Sequence, residues 1–315
     1  GFVAIDPSNG YLKAWVGSRG YMEDKFDHVI QARRQPGSTF KPLVYAAALE
    51  QGMSPRKRFT DYAVEIPLRD GTVWRPRDAS APTGEKMTAR EGLVYSKNTI
   101  TAQVMQEVGP DKTVALAQKA GISDSKLEAV PSLALGASPV TLFEMAAAYS
   151  TIAAVGVYHP PILVRKITDR YGNVLASFEV QSTRVMPEES TKELIDMLRG
   201  VVDEGTGHGI RTRFGITADV AGKTGTTQNN TDGWFMLMHP KLVAGSWVGF
   251  NDARITMRSN YWGQGAQTAL PVVGDFFRQT LNARLINASA QFPRPPRTLM
   301  DSIRDTVDEI FNLKW

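Results

Sequence analysis

Residues 220–250, VAGKTGTTQNNTDGWFMLMHPKLVAGSWVGF, decide the fold. Three apolar runs in it, 220–227, 233–238 and 242–250, read as strands, and the short link His239-Pro240-Lys241 between the last two implies antiparallel pairing. Working outward, the other end of the chain carries a matching signal: 2–6 and 11–17 flank the turn Pro7-Ser8-Asn9-Gly10, which predicts a hairpin. Between these ends the period changes. Residues 43–49 predict a buried helix ending near Gly52, and 88–156 are helical almost throughout, broken at Gly109-Pro110, Gly121 and Pro131. Strand character returns over 162–180 around Tyr171-Gly172-Asn173, before helices over 188–203 and 269–281. Strands at both ends with helices between them indicate an α+β fold rather than βαβ winding. Residues 54–86, rich in charge and proline, read as a surface excursion.

A chain of 315 residues with 42% hydrophobic content can bury a substantial core. Its net charge of +4 is too weak to argue for nucleic acid, no basic run is interleaved with aromatics, and Arg56-Lys57-Arg58 reads as a solvated loop. With no cysteine there is no disulfide, thiol nucleophile or cysteine metal site. The four histidines, His28, His159, His208 and His239, lack H-E-x-x-H spacing or a triad pattern, so neither a metal nor a cofactor is expected. The richest apolar stretch, 145–158, is too short and too polar to span a bilayer. A start at Gly1 that runs straight into a strand suggests a fragment of something longer.

Three short elements carry the chemistry: Ser38-Thr39-Phe40-Lys41, Ser96-Lys97-Asn98 and Lys223-Thr224-Gly225. S-x-x-K recurs at Ser54 and Ser123, but S-x-N and K-T-G each occur once, and they follow Ser38 in the order that active-serine penicilloyl enzymes use. Alone, each has a duller reading: an N-cap serine, a polar turn of helix, a strand with an exposed lysine. Together with the flanks Arg34-Gln35-Pro36-Gly37 and Asp232-Gly233-Trp234-Phe235, with Leu133-Ala134-Leu135-Gly136 and with 201–207, they make the chain resemble the transpeptidase domain of class A penicillin-binding proteins over about residues 1–281.

The resemblance implies a mainly antiparallel five-stranded sheet flanked by helices, beside an all-helical lobe. It implies a peptidoglycan D,D-transpeptidase whose partners are stem peptides, a D-Ala-D-Ala donor and an amine acceptor, with β-lactam antibiotics as acylating mimics. Ser38 is then the nucleophile and Lys41, one helical turn away, its base. A lysine base must be neutral near pH 7, which requires burial or a nearby cation such as Lys223. By the same resemblance Ser96 passes protons toward the leaving amine, and Asn98 holds Lys41 and the substrate. The backbone N–H groups of Ser38 and Thr226 form the oxyanion hole, and Thr224, Gly225, Thr226 and Thr227 bind substrate, the glycine by leaving the strand open to close approach. A membrane anchor and a glycosyltransferase domain are expected upstream, on the periplasmic side of the inner membrane.

Two neighbouring activities bear on this reading. A class A β-lactamase needs a glutamate in an E-x-x-L-N loop, and no glutamate between the second and third elements is followed by asparagine three or four residues on. A D,D-carboxypeptidase, transferring the acyl group to water, fits the same three elements. A non-catalytic β-lactam sensor would acylate and stay acylated, and the intact elements speak against it. The segment 205–209 is not a phosphate loop and reads as a mobile loop near the cleft. Past residue 281, residues 292–297 predict an extended proline-rich linker, and Thr298 with Asp301 caps a final helix with Leu299, Ile303, Val307 and Ile310 on one face. That face either docks on its own domain or meets a partner or membrane surface.

Overall fold

The two ends of the sequence meet in one sheet. In the computed structural model, β1 (Phe2–Ile5), β2 (Leu12–Val16), β3 (Ala221–Thr226), β4 (Asp232–His239) and β5 (Leu242–Gly249) lie in the order β3-β4-β5-β1-β2, every pair antiparallel. Phe2 stands opposite Ser246 and Ile5 opposite Val243, so the first strand closes against the last. The described residues are 1–296 apart from Arg69, Gln228, Asn229 and Ala253. The final helix expected from residue 298 onward lies outside them.

Alternation along the strands divides the core in two. Val3, Ile5, Trp234, Met236 and Val243 face a cluster with the central helices, while Phe2, Ala4, Phe235, Leu237 and Ala244 face the opposite way. On the second face lies α7 (Ala269–Asn282), whose Leu270, Val273 and Phe277 recur at helical spacing and are buried. The first face carries α1 (Lys41–Glu50), α2 (Ala89–Val94), α3 (Asn98–Val108), α4 (Pro110–Ala120), α5 (Leu142–Ala153) and α6 (Glu188–Asp203). Each of α2 and α5 starts with a capping box, Thr88 with Glu91 and Thr141 with Glu144, so the chain fixes where these helices begin. Among the described residues no helix is long and apolar enough to cross a membrane.

Two segments differ from expectation. The excursion over 54–86 forms two small ribbons, Arg58–Thr60 with Lys86–Thr88 and Ile66–Pro67 with Val73–Trp74, yet it sends a fully buried carboxylate, Asp61, onto α3. Thr99 Oγ1 donates to Asp61 at 2.7 Å, Lys97 Nζ lies 3.2 Å from it, and Thr83 also donates, so the buried charge is satisfied. The linker after α7 is tied down at Phe292, which is 2% exposed. Its N–H donates to Asp219 at 2.8 Å, and its carbonyl accepts from Arg199, itself bonded to Asp219 at 2.7 and 2.9 Å.

Candidate active site

Ser38 lies on a single 3-10 turn, Gly37–Phe40, that runs directly into α1. Pro42 is tolerated because first-turn N–H groups have no intrahelical partner. The turn rests against the free edge of β3. Gly37 holds a φ of +55°, and a Cβ there would fall 2.6 Å from the Thr226 carbonyl; one at Gly225 would fall 2.6 Å from the Pro36 carbonyl and 2.8 Å from Thr39 Cγ2. The glycine of K-T-G is therefore required by the protein's own serine turn. That requirement stands beside the room the glycine is expected to leave for substrate.

Beneath this turn two lysines, both fully buried, share one hydroxyl. Lys41 Nζ lies 3.3 Å and Lys223 Nζ 2.8 Å from Ser96 Oγ. Lys41 also donates to the Ser96 carbonyl at 2.6 Å and to Asn98 Oδ1 at 2.7 Å, and Lys223 to the Thr224 carbonyl at 3.2 Å. Ser96 presents these groups from a left-handed backbone, φ 57°, between α2 and α3, a conformation that costs a side-chain-bearing residue about 1–3 kcal/mol. Burial lowers Lys41 to about 7, and the Asp78 carboxylate pulls partly the other way. Burial also pushes Lys223 well below the ordinary lysine value, with Lys41's charge pushing further. Desolvation, more than a neighbouring cation, thus makes Lys41 basic near neutrality. Two acceptors, the Ser96 carbonyl and Asn98 Oδ1, occupy two of its N–H groups. The third contact then fits a neutral amine accepting the Ser96 O–H, while Lys223 donates to the same oxygen. No hydrogen bond joins Lys41 to Ser38 among the described residues.

The strand threonines are engaged differently. Thr224 Oγ1 lies 2.6 Å from Thr206 Oγ1, and Thr226 Oγ1 accepts from the Gly265 N–H at 3.1 Å, which leaves its own O–H free to donate. Thr227, which also lines the cleft over Ser38, bonds to Thr231 at 2.8 Å and to Asp232 at 3.2 Å. The segment expected to be a mobile loop is a fastened turn: Gly205 and Gly207 donate to the carbonyls of Gly200 and Val201, and its Thr206 reaches β3. A cleft of about 180 Å³ opens over Ser38, lined also by Asn98, Thr226, Gln35, Trp74 and Ser132.

Several of these contacts were not apparent from the sequence. Trp74 enters the cleft wall and Asp78 caps α3, both from the presumed surface excursion. Arg34 Nε lies 2.6 Å from Asp232 Oδ1, so the two flanks of the outer elements form a buried ion pair, with the Trp247 indole N–H donating to the same oxygen at 2.9 Å. The histidines stay apart from the site: His28 bonds the Gly17 carbonyl at 2.8 Å, and burial holds His239 down to about 4. Among the described residues no cluster of three or more histidine, aspartate or glutamate side chains is placed to hold a metal.

The fold and cleft are those of the penicillin-recognising serine enzymes. Residues 1–254 match the family model described as the penicillin binding protein transpeptidase domain, and the chain belongs to that family. Penicillin-binding protein 1A of Aquifex aeolicus is 33% identical over 304 residues, covering 96% of this chain and 40% of that protein. Its namesake in Neisseria gonorrhoeae is 32% identical over 289 residues, covering 90% and 36%. Among solved structures, penicillin-binding protein 1A from Haemophilus influenzae superposes with a TM-score of 0.86 at 27% identity, over 94% of this chain and 49% of that one. PonA1 from Mycobacterium tuberculosis, in complex with penicillin V, does so at 0.79 and 25% identity, over 94% and 81%. The chain spans only 36–40% of the length of these curated relatives. The family and the α+β fold with its antiparallel five-stranded sheet are thereby borne out.

Proposed function

We propose that this chain is a peptidoglycan D,D-transpeptidase domain that works through a Ser38 acyl-enzyme. One observation carries the reading: the Ser96 hydroxyl is shared by two fully buried lysines, one a helical turn after Ser38, the other on the strand that abuts it. Neutral Lys41 takes the Ser38 proton as Oγ attacks the carbonyl of the penultimate D-alanine; catalytic hydrogen bonds of this kind often close only once substrate is bound. The N–H groups of Ser38 and Thr226 receive the oxyanion, each worth roughly 3 kcal/mol. As the intermediate collapses, the Ser96 hydroxyl protonates the departing D-alanine amine and is reprotonated from the lysine pair. The amine of a neighbouring stem peptide then resolves the ester. Lys223 with the Thr224 and Thr226 hydroxyls binds the terminal carboxylate, Gly225 sets the strand at the nucleophile, and Thr227 supports the strand end from below.

A β-lactam offers a strained amide and a carboxylate at the same spacing, and acylates Ser38. The greater length of the relatives leaves room for the membrane anchor and upstream glycosyltransferase domain, and we place the domain on the periplasmic face of the inner membrane. We take residues 1–281 as the catalytic domain and the chain from 282 onward as an appended segment.

Intact mass after incubation with a penicillin tests this. The expected result is one adduct, stable for hours on this chain and missing from Ser38→Ala. An adduct that survives in Ser38→Ala overturns the nucleophile; rapid return to unmodified mass with drug consumption means hydrolysis. Release of D-alanine from a stem peptide, with amide formation to an added amine, identifies the transferase.

A further inference from the structure

The excursion over 54–86 delivers a second carboxylate, and this one stands at the foot of the lysine pair. Asp78 accepts the Asn98 N–H at 2.7 Å, the Thr99 hydroxyl at 3.2 Å and the Thr99 N–H at 3.5 Å. Since α3 has no side-chain cap at Lys97, Asp78 caps it from a distant part of the chain. The residue it fixes is the one that holds Lys41. Asn98 gives its amide N–H to the neighbouring Arg77 carbonyl at 2.6 Å, so its amide oxygen is the atom left facing Lys41 Nζ.

We propose that Asp78 is a positioning residue for the lysine base, orienting Asn98 and supplying the counter-charge that the Lys41–Lys223 pair otherwise lacks. The inference rests on the function proposed above. Lys41 faces Lys223 across Ser96 and the positive end of α3, both of which oppose its protonation. Tyr45 on its own helix is kept neutral by burial, and Asp61 is occupied by Lys97, Thr99 and Thr83. Among the described carboxylates, Asp78 is the one whose charge raises Lys41. Without that charge the lysine gives up its proton too readily and becomes a weaker base, although more of it is neutral in acid.

The test compares this chain with Asp78→Asn and Asp78→Ser, two neutral variants that keep an acceptor for the Asn98 N–H. Two quantities are followed against pH: the rate of penicillin acylation and the titration of Lys41, the latter by NMR of ¹³Cε-labelled lysine. In the variants both midpoints are expected about half a pH unit or more below those of the parent. At pH 6 each variant then runs at about threefold more of its own plateau rate. Unmoved midpoints in a folded variant, even with a lower plateau, overturn the counter-charge role. If the parent takes up no penicillin, the functional reading falls, and the lysine titration still decides the role of Asp78.

Discussion

Where the first and last sequence elements meet, cations are buried in two ways, with opposite results. Arg34 meets Asp232 at 2.6 Å, with side chains 12% and 5% exposed, and the pair is braced by Trp247, whose ring lies 5.3 Å from the guanidinium. On the same two segments, Lys41 after Arg34 and Lys223 before Asp232 are wholly buried and, among the described residues, bond to neutral oxygens. A buried charge with an ionic partner keeps its proton and becomes a fastener. Lys41, with no contacting anion, sheds its proton near neutrality and becomes a base. The fold uses the fastener to set the sheet end and the serine turn, and the base to act between them.

The comparison breaks most visibly at Asp232. Asp232→Ala leaves Arg34 buried without its anion and is expected to lower unfolding free energy by about 3–5 kcal/mol, read from urea denaturation; a loss below about 1 kcal/mol would make the pair ornamental. Lys41→Met should slow penicillin acylation by about 10²-fold or more while initial binding weakens far less, measured by stopped-flow with a chromogenic lactam. Unchanged acylation would remove Lys41 as base. The third test uses stability against pH. Below about pH 7 Lys41 is protonated both folded and unfolded, but between about 7 and the ordinary lysine value of 10.5 only the unfolded chain holds the proton. The Lys41 contribution should therefore raise stability with pH across that window, by up to about 1.4 kcal/mol per pH unit, and Lys41→Met should flatten the slope. The smallest effect is expected at Thr206→Val, which removes the 2.6 Å contact with Thr224 and should cost about 1 kcal/mol.

Much of this was legible in the sequence because it is local. The strand periods at 2–6 and 233–238 and the helix over 188–203 appear at the expected places, since alternation and 3.6-residue spacing are properties of consecutive residues. The order of S-x-x-K, S-x-N and K-T-G pointed to residues that do converge. Asp61 and Asp78 were hidden because nothing beside them in the chain marks a buried carboxylate: their partners, Thr99, Lys97 and Asn98, come from α3 and the turn before it. Composition made that stretch look solvated. The Thr206 contact was equally unreadable, since a threonine between two glycines shows nothing of the strand it will touch.

The contact between the serine turn and β3 also limits how this protein can change under selection by antibiotics. At Gly37 and Gly225 any added carbon would strike backbone carbonyls at 2.6 Å, so under the proposed function mutations there would cost the acylation reaction together with the drug's target. If the domain cross-links stem peptides as proposed, changes that spare that activity are expected in the cleft walls, at positions such as Trp74 and Ser132. There a side chain can be exchanged without moving the nucleophile relative to its strand.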